Sequence, residues 1–579
     1  MTTLTQARPQ LSSSSVRLLR DPILVLVGLL VLLATGLMLA QILVLIWTSL
    51  RPTTRLQTAE LTLANFISIL QQPGFHEVFG NTLALGIGSV AVMLAFALPF
   101  TWLYTRTNLA HKNLLLTLLT VKIAVPGFLV AMGYIYLLNP SNGIANRLAM
   151  DLLGLPSPPF NVYTLAWMAF LQGTALVSPA FFMLTPTFRA IDASLEEVAH
   201  TSGVRPLTTL RRIVVPLATP AIIATSIYYF IIAIESFDYA AMLGLPVRIF
   251  VFSTWIYRLV YPPFDEPRYG EAAALGILMS LAAIVLTLLY LWSIRQSDRF
   301  TVVTGKRSQQ RPSRMSRRGQ LLAWATISIY AALTLLLPLL LLVWSSLVPY
   351  LQVPSAAALA DLTLDAYATA LYEGIPILAN TLAVTILVPT LSVIWAACLA
   401  WVMVRTRIPG RRLLDVLVML AVAIPSIVGA LAFLYLGLAV HQVIPLYTTI
   451  WLIVLAMSTR YITWANRTIA NALLQVHREV EEACAVSGIR RGQAMLLVLM
   501  PTVSPALLFS WFWLALLALR ELTIPVMLVR PNTQVLATAI WGFNAAGSSN
   551  VASAMGVILV TIIGVLVLLF HRLSGEPNI

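Results

Sequence analysis

The sequence predicts an all-α membrane protein with about twelve transmembrane helices, arranged as two parallel six-helix repeats. Three observations carry that expectation. Hydrophobic side chains make up 59% of the 579 residues and charged ones only 10%, which excludes a soluble globular protein. Apolar runs of 18 or more residues recur along the chain, each long enough for a hydrocarbon core of about 30 Å. Finally, motifs of the first half return in the second at two constant offsets, 285 and 299.

The elements follow in order. Residues 1–20 are a polar tail with a serine run. The apolar run after Arg17 and Arg20 continues to about Trp47, too long for a signal-peptide core, so it reads as a retained first span. Spans of the first half, 21–293, are expected near 22–48, 82–104, 114–138, 162–186, 214–234 and 272–293. Residues 294–320 then set Arg295, Arg299, Lys306, Arg307, Arg311, Arg314, Arg317 and Arg318 against one acid, Asp298, and read as a basic linker. The second half, 321–572, has expected spans near 321–346, 380–404, 413–438, 444–460, 499–519 and 551–570.

Charge orients these spans. The linker, with Arg405, Arg407, Arg411 and Arg412 after the eighth span, marks the cytoplasm, whereas 347–379 holds Asp361, Asp365 and Glu373 and no Lys or Arg. Both termini are therefore expected in the cytoplasm. The net charge of +14 is orientation chemistry of this kind, and no nucleic-acid partner is expected. The two cysteines, Cys398 and Cys484, are not placed for a disulfide.

The polar stretch after the fourth span of each half is the most informative. Glu197, Ala199, Gly203, Ile213 and Pro216 return as Glu482, Ala483, Gly488, Val498 and Pro501, with the glutamates, glycines and prolines 285 residues apart. Each copy reads as a short helix, a turn and the start of a membrane helix. Ser194 followed by Glu197 fits a capping box, which the second copy lacks because Glu479 replaces the serine. Gly203 and Gly488 stand where a helix ends and a left-handed residue is needed. At the 299 offset, Asn81-Thr82-Leu83-Ala84 matches Asn380-Thr381-Leu382-Ala383, Trp102 matches Trp401, and Arg106-Thr107 matches Arg405-Thr406. The 14-residue difference between offsets falls in the connection 139–161. Pro126 and Pro425 sit inside matching spans, where a missing N–H and a ring clash kink a helix, for gating or simply for packing.

The pattern Glu-Ala-Ala, three residues, Gly, nine residues, Ile-x-Leu-Pro resembles that of the binding-protein-dependent ABC importer permeases. Here it reads Glu197-Val198-Ala199…Gly203…Ile213-Val214-Val215-Pro216 and Glu482-Ala483-Cys484…Gly488…Val498-Leu499-Met500-Pro501; the departures are small or apolar. The resemblance implies the type I permease fold, with coupling helices near 194–210 and 479–495 seated on two copies of a cytoplasmic ABC ATPase. Glu196, Glu197, Ala199, Gly203, Pro216, Glu481, Glu482, Ala483, Gly488 and Pro501 are the coupling residues it points to. It also implies an extracytoplasmic substrate-binding protein as a partner, membrane lipid around the spans and a bacterial plasma-membrane location. ATP and Mg would be bound by the partner ATPase and no cofactor by this chain. The fused two-half form, with Glu235-Ser236-Phe237-Asp238 and Leu519-Arg520-Glu521-Leu522 after the two motifs, is most similar to the ferric-iron permeases, with the thiamine type next. Polyamine, phosphonate and sulfate permeases share the general motif.

No catalytic residues are expected. A phosphate-cradling Gly-x-x-x-x-Gly-Lys-Ser/Thr loop is missing, and the six histidines lack zinc-ligand spacing, so no metal site is expected. Charges at span ends are candidates for a pathway or gate: Glu235 and Asp238 after the fifth span, Arg520 and Glu521 after the eleventh, with Glu235 and Arg520 in register. The competing reading is that they lie at the interface and reach water. Lys122 is similarly poised in the third span. Two other classes remain: a secondary transporter driven by an ion gradient, which has no need of the doubled motif, and a non-transporting scaffold or channel, which leaves it unexplained.

Overall fold

The computed structural model describes residues 21–52, 60–204, 206–297 and 315–574. The expected tail, Arg205 and most of the expected linker lie outside them, as do the side chains of Glu197 and His200. The described residues are helical and contain no β-strand. Eight helices are individually long and apolar enough to cross a membrane, and four bent pairs raise the number to as many as twelve.

The repeat is visible in the elements themselves. Helices Lys112–Ala124 and Arg411–Ala423 stand 299 residues apart at both ends, and Leu165–Ala190 and Ile450–Gln475 stand 285 apart. Even the π-helical turns Leu210–Val214 and Met495–Leu499 keep the 285 register. The length difference resides in helix Ile144–Leu153, for which the second half has only the short turn Leu446–Thr448.

Two differences from the expected spans have clear causes. The tenth span lies in Ile450–Gln475 rather than near 444–460; Ser458, Arg460, Asn466 and Arg467 dilute its hydropathy, and it is not among the helices that qualify as spans by composition. The stretches after the fifth and eleventh spans, read from sequence as connections, form buried short helices: Ala240–Gly244 and Phe252–Val260, then Thr523–Leu528 and Leu536–Ala545. Pro246, Arg248, Pro531 and Asn532 interrupt them, so no long apolar run announces them. Asn81 and Asn380 tie these stretches to the membrane helices, Nδ2 donating to the carbonyls of Phe250 (3.2 Å) and of Asn532 and Gln534 (both 3.0 Å).

The chain packs as two compact units. One comprises the described residues to Leu43 with Val384–Val422 and Val454–Ala518; the other comprises Val44–Ala383, Ala423–Ile453 and the described residues from Leu519. In the larger unit Phe75–Arg106 lies along Leu165–Ala190 around Phe100, Phe181, Phe188 and Tyr330. Gly173 permits the approach: a Cβ there would stand 2.6 Å from the carbonyl oxygen of Ser89. In the smaller unit the register-equivalent Ser458 makes the matching contact as a hydrogen bond, its Oγ donating to the carbonyl of Val388 at 3.4 Å. Small or hydroxylated residues at a crossing are how helices associate where lipid supplies no hydrophobic drive.

The expected kinks are full breaks. Lys112–Ala124 and Gly127–Leu138 meet at 92° across Val125-Pro126, and helix Arg411–Ala423 ends before Ile424-Pro425 in the same way. Proline leaves the last carbonyls of the leading helix without intrahelical donors.

Candidate coupling elements and a buried charge cluster

The first motif folds as helix Ala193–Thr201, a turn at Gly203 and the helical run from Pro206 into Val215–Glu235, with Pro216 at its start. The second folds as Glu479–Val486, a turn at Gly488 and the run from Arg491, with Pro501 in the short turn Met500–Thr502. Gly203 and Gly488 adopt φ values of +79° and +74°, as the sequence predicts. Each turn closes with a bond spanning five residues: Val204 N–H donates to Ala199 O and Ile489 N–H to Cys484 O, both at 2.9 Å. This Schellman closure satisfies carbonyls that a helix end would otherwise expose.

The start of the first helix differs from the expected capping box. Asp192, not Ser194, supplies the cap, its Oδ1 accepting the Ser194 N–H at 3.0 Å, because the helix begins one residue ahead of the serine. The second helix lacks a side-chain cap, and Glu479, Glu481 and Glu482 in its first turn complement the dipole instead.

What holds each short helix in place is an arginine from the end of a long helix. Arg106, last residue of Phe75–Arg106, donates through Nη2 to the carbonyl of Ile191, and its Nη1 stands 3.2 Å from Glu196 Oε1. Arg405, last residue of Ile375–Arg405, donates to the carbonyls of Leu473 and Val476 (2.5 and 2.6 Å), and its Nε stands 3.7 Å from Glu481 Oε1. Ile191 and Val476, like Glu196 and Glu481, are 285 apart, and the arginines are 299 apart. The latch is thus made twice from equivalent residues. Burial pushes the Glu196 carboxyl upward from its ordinary range while Arg106 pulls it back, and burial is the stronger influence.

Sequence reasoning marks Arg106 and Arg405 as matches without assigning them this work. The signal is an arginine at the end of the same span in both halves. Within the motif the buried positions are Ala199 and its register partner Cys484, whereas Ala483 falls at the Val198 register and both are exposed. Glu482 is exposed. Leu195, Val198 and Val486 give the two short helices exposed apolar side chains.

The candidate pathway residues gather at the first helix break. Arg520 donates through Nη1 to the carbonyl of Ile123, one of those orphaned ahead of Pro126. Lys122, only 4% exposed, lies within electrostatic reach of Arg520, as does Asp238, which also feels Glu521. Glu521 Oε1 accepts the Ile524 N–H at 3.3 Å and so caps Thr523–Leu528. Tyr239 packs against Gly127, the first residue after the break. Glu235 occupies the helix end equivalent to Arg520 and is 9% exposed. The reading in which these charges simply reach for water does not describe Arg520, whose guanidinium turns back to a helix terminus. In the other repeat Arg460 does the same job: its Nη1 donates to Val422 O at 2.7 Å, the carbonyl 299 residues on from Ile123. Cations at a helix C-terminus are favoured by the dipole.

Comparison with known proteins decides the family. The family described as binding-protein-dependent transport system inner membrane component matches residues 97–303 and 390–575, more than half of the chain and once in each repeat. The chain belongs to this family. It is therefore a multi-pass inner-membrane ABC importer permease, a membrane subunit of the non-catalytic kind. Likeness over most of the chain runs to the ferric transport system permease protein FbpB of Actinobacillus pleuropneumoniae, 25% identical over 89% of this chain and 73% of that one. The Fe(3+)-transport system permease protein FbpB 2 of Haemophilus influenzae is 20% identical over 89% and 94%. The sulfate transport system permease protein CysT of Salmonella typhimurium is 31% identical but matches 34% of this chain and 70% of its own. Among solved structures, a bacterial ABC transporter involved in the import of the acidic polysaccharide alginate is 21% identical, covering 43% of this chain and 87% of that one with a TM-score of 0.35.

Proposed function

We propose that this permease imports iron(III), delivered by an extracytoplasmic binding protein, and is driven by two ATPase subunits docked on its two short helices. The observation that carries the docking is the doubled arginine latch. It fixes each short helix to the end of a long membrane helix, so a push on one moves the other. The exposed Leu195, Val198 and Val486 supply the apolar contact such docking needs. In this reading both termini are cytoplasmic, and ATP and Mg belong to the partner. Transport follows from a bistable membrane dimer whose two states the ATPases contact differently. The names of the relatives matched over most of the chain support iron.

The test is binding-protein-stimulated ATP hydrolysis and radiolabelled iron uptake in liposomes, with Glu197→Arg and Glu482→Arg singly and together. Stimulation that needs the permease and collapses in the folded double variant supports the reading. Uptake that follows an imposed proton gradient without any ATPase would replace it with a secondary carrier. Coupling to thiamine or a polyamine, but not to iron, would keep the importer and change the cargo.

A further inference from the structure

The smaller unit carries a cavity of about 470 Å³ lined by Arg405, Thr406, Arg407, Arg411 and Arg478, beside the second coupling helix. That volume lies in the range of small-ligand pockets. Four of the five residues that line it are arginines and the fifth is a threonine. Guanidinium suits phosphate because its planar fork gives paired N–H···O bonds. Arg405 is buried and committed to the latch, and Arg411 Nη1 donates to the Thr406 carbonyl at 3.1 Å, which leaves Arg407 and Arg478 as the adaptable members.

Its place relative to the membrane helices indicates the ligand. Arg405 ends the 31-residue helix Ile375–Arg405 and Arg411 begins Arg411–Ala423, so the cavity sits at the level of two span ends, where lipid headgroups lie. Directly along from Arg411, the exposed Leu413, Val416 and Met419 form an apolar stripe at helical spacing, the surface an acyl chain would follow.

The first repeat does not build this site. The positions equivalent to Arg405, Thr406, Arg407 and Arg411 are Arg106, Thr107, Asn108 and Lys112, and Arg478 corresponds to Ala193. There the chain covers the corner itself. Asn108 Oδ1 accepts the Met315 N–H at 2.7 Å, and Trp324 Nε1 donates to the Ala110 carbonyl at 3.1 Å. One half thus closes the corner with its own backbone and indole, while the other lines it with arginine.

We propose that the Arg405–Arg407–Arg411–Arg478 cavity holds the phosphate headgroup of an anionic phospholipid, next to the second coupling helix only. This site does not depend on which solute is transported.

The test is native mass spectrometry of the full chain, purified from membranes and exposed to phosphatidylglycerol, phosphatidylcholine or inorganic phosphate. Wild type should retain phosphatidylglycerol in preference to phosphatidylcholine. Arg407→Gln with Arg478→Gln should weaken that retention roughly 30-fold, at about 1 kcal/mol per basic residue. Lys112→Gln, at the matching corner of the first repeat, should leave it unchanged. If the double variant elutes as aggregate, Arg407→Gln alone should still show a loss of about fivefold. Equal retention of the two lipids, or equal loss in Lys112→Gln, overturns the proposal. Inorganic phosphate binding without phosphatidylglycerol retention overturns the lipid source. A folded double variant that keeps its lipid but no longer co-purifies with an ATPase overturns the proposal in favour of an acidic protein surface.

Discussion

The two repeated motif elements share a latch, a left-handed glycine turn and a π-helical turn, yet their surroundings differ. In the first, Glu196 is 15% exposed and Arg106 grips one carbonyl, that of Ile191. In the second, Glu481 is 30% exposed, Arg405 grips two carbonyls, and Asp21 Oδ2 accepts the Gly492 N–H at 3.0 Å to pin the chain beyond the turn. What is common is the fixed register between a short helix and the end of a long one. What differs is how much of the fixing falls on a charge pair and how much on backbone hydrogen bonds. The lesson is that the pair at the first element acts through position more than through attraction, since burial outweighs Arg106 in setting the Glu196 carboxyl.

The largest expected effect breaks that comparison at the arginines. Arg106→Met leaves the Glu196 carboxylate half-buried with no cation beside it, and loss of one partner of a buried pair costs about 3–5 kcal/mol. Glu196→Gln should partly rescue Arg106→Met, because it removes the stranded charge, although alone it strands the more deeply buried Arg106 guanidinium and is itself destabilising. Acidification should act in the same direction. With its folded value raised, Glu196 imposes its burial cost fully above that value, and the cost fades as pH falls toward the unfolded value. At the second element Glu481→Gln should rescue little of Arg405→Met, whose cost lies in the two carbonyls. The check is a double-mutant cycle on each pair, read by denaturant unfolding of the purified chain. Equal coupling energies at both elements would refute the distinction.

A middle-sized effect tests what the elements have in common. Gly203→Ala and Gly488→Ala place a Cβ in open space, so only the positive φ opposes them. Each should cost about 1–2 kcal/mol, and by the same amount. Unequal losses, measured by the same unfolding assay, would mean that one turn is held by contacts the other lacks.

Much of this is legible in the amino-acid sequence alone. Long apolar runs, the break-inducing prolines at 126 and 425, and the glycines that end both short helices act through local stereochemistry, which a single sequence carries. The repeat offsets are legible because they are arithmetic. What stays hidden depends on distance in space. Arg106 and Glu196 are 90 residues apart, and nothing in either segment names the other as its partner. The buried helices Ala240–Gly244 and Thr523–Leu528 are hidden for another reason: each is short, and the chain breaks after it at Pro246 and Arg248 or at Pro531 and Asn532, so neither reads as one continuous apolar helix. Ser194 misleads because a capping box is a spacing, and Asp192 two residues earlier meets the same helix end first.

The smallest expected effect concerns a buried position of the two short helices where the elements differ. Ala199 and Cys484 occupy the same register, 6% and 8% exposed, and each offers its carbonyl to the closing bond of its turn. The backbone bond is indifferent to the side chain, so the thiol adds only a small buried volume. Cys484→Ala should therefore change stability by less than about 1 kcal/mol and leave stimulated ATP hydrolysis intact. Cys484→Leu should not be tolerated in the same way, because a larger side chain overpacks a position only 8% exposed. If Cys484→Ala instead abolished stimulation while the chain stayed folded, the thiol would have a role beyond filling space. The two elements would then differ in chemistry and not merely in how they are held.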